Sequence, residues 1–130
     1  MSPTKATQPA HKALARNDVV LVGRLSAEPT TRLLPSGDEL LGWRLVVGRD
    51  AAARAVSANA PTVDTIDCVA YKAGIRRTIG RCVGGEMLEV QGALRRRFWR
   101  GAKGLASRYE VEVFAAKRLS PTTRRTETSA

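Results

Sequence analysis

Arg95-Arg-Arg-Phe-Trp-Arg100 places four guanidiniums and two aromatic rings in six consecutive residues. Successive side chains on an extended strand point to opposite faces, so Arg95, Arg97 and Trp99 share one side. Guanidiniums at that spacing reach phosphates, and the indole beside them offers a flat surface for an unpaired base. A cationic groove interleaved with aromatics holds single strands without reading sequence, each stacked base contributing about 1 to 3 kcal/mol. An arginine-rich edge that only discouraged aggregation would keep its tryptophan in the core. A tryptophan set among four arginines fits strand binding better. Tyr71, at the end of a strand-like run and on the side of Val69, is a second stacking candidate. Trp43 alternates with Leu41, Leu45 and Val47 and is expected in the core. Arg44, Arg49, Arg100 and Lys103 complete the candidate nucleic-acid contacts.

Other chemistry finds little support. The single histidine, His11, lies in a polar leader and reads as solvated. No Cys/His set has zinc spacing, and neither a phosphate loop nor a nucleophile elbow is present. Asp64 and Asp67 stand three apart on a strand, on opposite faces, which does not make a carboxylate pair. No enzymatic activity, metal or cofactor is expected. The two cysteines, Cys68 and Cys82, read as buried free thiols of a reducing compartment.

The 130 residues carry a formal charge of +10, which divides as +3 over Met1–Arg16, +4 over Asn17–Ala116 and +3 over Lys117–Ala130. A basic chain with basic ends implies a polyanionic partner, most simply nucleic acid. The longest apolar runs, such as Val19–Val22, reach four residues, against about 20 needed to cross a bilayer. No membrane partner is expected. Met1–Arg16 lacks the apolar centre of a signal peptide, so a cytoplasmic, nucleoid-associated protein is expected.

These side chains need elements to hold them. Asn17–Leu25, rich in β-branched residues and ending at a Ser26-Ala-Glu-Pro29 turn, reads as a strand, with Gly23 marking a bulge or bend. Thr30–Leu34 is closed by Pro35-Ser-Gly37, and Glu39–Val47 is a second strand. Gly48–Thr62, rich in alanine and small polar residues, reads as a mobile loop. Val63–Tyr71 is a third strand. Between Lys72 and Val83 the apolar period lengthens, with Ile75, Ile79 and Cys82/Val83 marking a helix that ends at Gly84-Gly85 and leaves Arg76, Arg77 and Arg81 in solvent. Glu86–Leu94 alternates again and continues into Arg95–Arg100. Leu88, Val90 and Leu94 are expected inward, and Glu89, Gln91, Ala93, Arg95, Arg97 and Trp99 outward. Gly101-Ala-Lys-Gly104 forms a hairpin tip, and Ser107–Phe114 returns.

Three strands, a helix and two strands in about 100 residues form the element order of the OB-fold, an all-β, five-stranded Greek-key barrel with one helix between its third and fourth strands. The same count also fits an SH3-like barrel or a small sandwich; the helix position favours the OB-fold. The expected organisation is a basic disordered leader at 1–16, the barrel at 17–119 and a basic disordered tail at 120–130.

The run Asn17–Pro29, Arg32, Pro35-Ser-Gly37, Gly92-Ala-Leu-Arg-Arg-Arg-Phe-Trp99 and Arg108–Val113 resembles the bacterial single-stranded DNA-binding protein family. The resemblance spans Asn17 to about Leu119. It implies an OB-fold, assembled as a homotetramer or a dimer, that coats and protects single-stranded DNA in replication, recombination or repair. It also implies that Arg95, Arg97 and Trp99 face DNA and that Tyr71 stacks. The chain departs from the family pattern at Thr65, where an aromatic is usual, at Asp67, where a basic residue is frequent and an acid would repel phosphate, and at Arg49-Asp50. It ends Arg124-Arg-Thr-Glu-Thr-Ser-Ala130 instead of in an acidic tip, which implies a short paralogue or mobile-element version without tip-mediated recruitment of enzymes. An OB-fold protein-interaction module of a replication-restart type complex, and an RNA-binding module, are the alternative readings.

Overall fold

The computed structural model describes residues 14–50, 59 and 61–119. His11, most of the basic leader, the tail beyond Leu119 and the centre of the alanine-rich loop lie outside the described residues. The elements in chain order are β1 (Val19–Leu25), β2 (Thr30–Leu33), β3 (Glu39–Gly48), β4 (Val63–Ala70), α1 (Ala73–Gly80), β5 (Met87–Gly101) and β6 (Gly104–Arg118). The strands follow one another laterally as β1-β5-β6-β4-β3-β2, and a further β1–β3 pairing closes the sheet on itself. With α1 between β4 and β5, this is the OB-fold barrel that the element order implied. The described residues include no helix long and apolar enough to cross a membrane.

Burial of one face of each strand drives the closure. Leu25, Leu41, Leu45, Leu88, Val90 and Val113 meet inside, with Trp43 among them at 6% exposure. Cys68 and Cys82 are buried free thiols, as expected. Burial, followed by the nearby carboxylates of Asp67 and Glu110, pushes the Cys68 thiol up to about 12. Burial is also the main cause of the upward shift at Cys82. Both thiols therefore stay protonated and unreactive at neutral pH.

Several local expectations are corrected. Thr30–Leu33 is a short strand, paired with Glu39–Gly42 of β3 through the Pro35-Ser-Gly37 turn; its exposed residues carry no burial pattern to signal it. Gly23 does not mark a bulge, since β1 pairs without interruption with β5 there. A Cβ on Gly23 would instead collide with the Val46 carbonyl, where β1 and β3 approach to close the barrel. The helix is shorter than Lys72–Val83, and Val83 is exposed while Cys82 is buried. Arg76 does not point freely into solvent. Its Nη1 lies 2.7 Å from Glu39 Oε1 and its Nε donates to the Tyr71 carbonyl at 3.1 Å, tying α1 to the start of β3 and the end of β4.

The longest pairing joins β5 to β6, fifteen residues each, from Leu88 opposite Arg118 to Gly101 opposite Gly104. Between Gln91 and Gly92 the register jumps, because Gln91 faces Ala115 while Gly92 faces Val113, so β6 carries Phe114 as an extra residue. A bulge of this kind increases strand twist and bends the ribbon. Gly92 sits hard against the β6 backbone, and a Cβ there would overlap the Glu112 carbonyl. Beyond this crossing the strand pair leaves the barrel wall as a two-stranded arm that ends in the two-residue turn Ala102-Lys103, with Gly104 at φ +113°.

Leu94, expected inward, is 45% exposed, and Ala93, expected outward, is buried. Leu94 lies opposite the buried Val111, at the edge of the core where the ribbon begins to leave the barrel. The Asn17 side chain marks this departure. Its Nδ2 donates to the Leu94 carbonyl at 2.7 Å and its Oδ1 accepts from the Leu94 N–H at 2.8 Å. Replacement of Gly92 by alanine is expected to destabilise the protein by about 1 to 3 kcal/mol, because the obstructing atoms are backbone; urea unfolding monitored by far-UV circular dichroism measures the loss.

Candidate nucleic-acid interface

Strand pairing places the candidate residues on two faces of the β5–β6 ribbon. Arg95 lies opposite Glu110, Arg97 opposite Arg108 and Trp99 opposite Ala106, so these side chains share one face. The alternation expected of Arg95, Arg97 and Trp99 therefore holds. Trp99 is 42% exposed, near the tip of the arm. The other face carries Arg96, whose guanidinium carbon stands 5.1 Å from the Phe98 ring centroid and 5.3 Å from that of Tyr109. Arg96 also donates to the Ser107 hydroxyl. By alternation Arg100 belongs to this second face, and Lys103 is exposed in the turn at the tip.

The first face continues across the barrel. Cys68 and Val111 are parallel partners and both are core residues, which leaves Asp67 and Glu110 on the outer side. Arg44 is the cross-strand partner of Asp67. Arg44, Asp67, Arg108 and Glu110 border a cleft of about 350 Å³, together with Arg32 and the Ser26–Glu28 turn. The outer surface thus runs from Trp99 through Arg97, Arg95 and Arg108 to Arg44. Tyr71 lies two residues beyond Val69, whose partner is Glu112, whereas Trp99 is level with Ala106. Eight residues of strand, about 25 Å, separate the two aromatics along the ribbon. They stand at opposite ends of the surface and do not form one stacking pair.

Arg44, Arg95, Arg97 and Arg108 each face a carboxylate. Arg95 Nε donates to Glu112 Oε1 at 3.0 Å, and Arg97 Nη1 stands 3.5 Å from Glu110 Oε2. Asp67 accepts from Arg44 Nε at 3.1 Å and lies 3.9 Å from Arg108. Asp67 is therefore a shared counter-ion and not a bare negative charge. At the base of the β3–β4 loop, Arg49 makes a forked contact with Asp64, its Nη2 donating to Oδ1 at 2.8 Å and its Nε lying 3.2 Å from both oxygens. Hydrogen bonding from Arg49, reinforced by its charge, holds the Asp64 carboxyl below its ordinary range against the opposing effect of burial. Asp64 and Asp67 serve different arginines on opposite faces, as their spacing implied.

Glu110 is unusual among these acids, being 2% exposed. Its Oε1 and the Arg97 Nη1 are buried without a hydrogen-bond partner. The ion pair is close enough for attraction but lacks hydrogen-bond geometry, a costly arrangement for buried polar groups. Arg108, Glu110 and Glu112 were not singled out as site residues from the sequence. The alternation of Ser107–Phe114 was visible, but the register that sets it against Arg95–Arg100 was not. Among the described residues no group of His, Cys, Asp or Glu is arranged to hold a metal ion.

A closed OB barrel with arginines and an exposed tryptophan aligned along one outer surface defines a class of protein that binds nucleic-acid strands. The Single-strand binding protein family matches this chain over residues 16–120, and the chain belongs to that family. It is accordingly a single-stranded DNA-binding protein and not an enzyme. Among solved structures it is similar to a Plasmodium falciparum SSB complex with ssDNA, with a TM-score of 0.66 and 23% identity, covering 81% of this chain and 96% of that one. That likeness establishes the shared fold. The comparison with curated proteins found no match.

Arg97→Ala is expected to cost more stability than Arg95→Ala, because it strands the buried Glu110 carboxylate, whereas Glu112 retains access to water. The difference should be about 1 to 3 kcal/mol in urea unfolding.

Proposed function

We propose that this protein coats and protects single-stranded DNA without sequence preference, in replication, recombination or repair, using the Arg95, Arg97 and Trp99 face of the arm and the adjoining barrel surface. The observation that carries this reading is the shared face itself. Guanidiniums stand beside an exposed indole, so phosphate contact and base stacking act on the same stretch of strand. Arg44 on the barrel extends the cationic surface and Lys103 stands at the arm's tip, whereas Arg100 lies on the ribbon's second face and Arg49, paired with Asp64, on the face opposite Arg44. Tyr71 supplies a separate stacking position at the far end. The chain's +10 charge favours capture of a polyanion at a distance.

Self-association belongs to the same proposal, as a homotetramer or a dimer. From Val19 to Gly23, β1 pairs only with β5, and β3 joins it only at Arg24 and Leu25. The remaining edge carries Val20 at 60% and Val22 at 46% exposure. An apolar edge of this kind is a ready template for another strand, and a second copy of the chain would cover it. The place of action proposed is the cytoplasm, on the nucleoid.

Trp99→Ala is expected to weaken binding of a dT oligonucleotide by about 1 to 3 kcal/mol, measured by fluorescence anisotropy of labelled oligonucleotide at fixed salt. Equal affinity of variant and parent would remove Trp99 from the binding surface. An RNA oligonucleotide of the same length, titrated alongside, tests whether the strand recognised is DNA.

A further inference from the structure

Four guanidiniums of the outer surface, Arg44, Arg95, Arg97 and Arg108, are set against three carboxylates, Asp67, Glu110 and Glu112. We propose that two of these carboxylates, Asp67 and Glu112, are built-in competitors of DNA phosphate: they occupy phosphate-contacting arginines in the free protein and must be displaced when a strand binds. The inference rests on the reading of this face as the single-strand surface, and it deepens that reading by assigning an opposing role to specific acids.

The geometry supports displacement. Asp67 is divided between two arginines, at 3.1 Å and 3.9 Å. The Arg97–Glu110 pair is not part of this exchange, because Glu110 is 2% exposed and its release would strand a buried carboxylate. Arg95 and Glu112 have 48% and 26% side-chain exposure, so a phosphate can approach their 3.0 Å contact from solvent. A phosphate oxygen offers each guanidinium the same forked acceptor geometry as a carboxylate. The exchange therefore replaces one ion pair by another.

This exchange has a distinctive electrostatic consequence. Binding driven by phosphate neutralisation draws on released counterions, with a salt slope that grows by about 0.7 per contact on a single strand. A phosphate that meets an arginine already neutralised by an internal carboxylate still releases its own condensed cation. The displaced acid must then recruit a cation from solution. Net ion release falls, and so do affinity and salt sensitivity. Base stacking on Trp99 carries no such penalty, so the carboxylates shift the balance of binding from charge toward stacking.

The test uses the full chain with Asp67→Asn, Glu112→Gln and the double variant. Glu110 is left intact because it is buried and serves the fold. Each protein, with its thermal unfolding measured as a folding control, is titrated with a dT oligonucleotide across a salt series, beside the parent and Trp99→Ala. The double variant is expected to bind about five- to tenfold more tightly than the parent at low salt, with a salt slope steeper by about one to two units. Unchanged or weaker binding by a folded double variant overturns the competitor role, showing that the acids position the arginines instead. If the double variant fails in that way while Trp99→Ala still weakens binding, the single-strand surface stands and only the competitor role falls. Loss of any effect of Trp99→Ala overturns the surface assignment itself.

Discussion

The contact between Gly92 and the β6 backbone at Glu112 governs the rest of the structure. On the barrel side of this crossing, Leu88, Val90 and Val113 face a shared core. On the other side Ala93, Val111 and Glu110 are still buried, and only from about Arg95 onward do the same two strands run out as an arm. No side chain larger than hydrogen fits at Gly92, and the register jump beside it places Phe114 as the extra residue on β6. Together they decide which members of an alternating sequence are core and which are surface. The barrel fixes the base of the arm, and the Gly101–Gly104 turn closes its end. Arg95, Arg97 and Trp99 are thus held on one line by an unbroken ladder of backbone hydrogen bonds, which lowers the ordering cost of meeting a ligand.

The same ribbon joins stability to binding. Arg97 serves the fold, by compensating Glu110 in an otherwise enclosed position, and it is also a candidate phosphate contact. The arm's opposite face is organised differently, with Arg96 stacked between Phe98 and Tyr109. Arg44, Arg97 and Arg108 are matched to carboxylates, whereas Arg95 meets both Glu112 and the Phe114 ring, whose centroid lies 5.9 Å away. The formal charge of +10 is therefore a poor guide to the charge that a strand would meet along the outer face.

The broad architecture was legible because it depends on short-range patterns. Alternation located the strands, the change of period near Ile75 and Ile79 located the helix, and the order of these elements pointed to the OB barrel. The parity of Arg95, Arg97 and Trp99 followed from the same rule, and Trp43 in the core did as well. What escaped was set by contacts distant in sequence. Thr30–Leu33 is a strand because β3 offers it an edge, not because its exposed residues alternate in polarity. Gly23 and Gly92 are required by carbonyls of other strands, Val46 and Glu112. Arg76 is held by Glu39. Leu94 has an inward parity but lies at the core's edge, opposite the buried Val111. The pairing of Arg44, Arg95 and Arg97 with acids depended on the β5–β6 and β3–β4 registers, which no local pattern specifies.

The most direct test of the account is the intrinsic fluorescence of the two tryptophans during titration with unlabelled dT, RNA and duplex oligonucleotides at two salt concentrations. Trp99 is exposed on the arm and Trp43 is enclosed in the core, so stacking should quench one emitter and spare the other. The account predicts strong, saturable quenching by dT with a defined site size, a weak duplex response, and loss of the quenching in Trp99→Phe. Weak quenching, with equal binding of all three ligands that vanishes at the higher salt, would contradict it and reduce the interaction to diffuse attraction by basic segments.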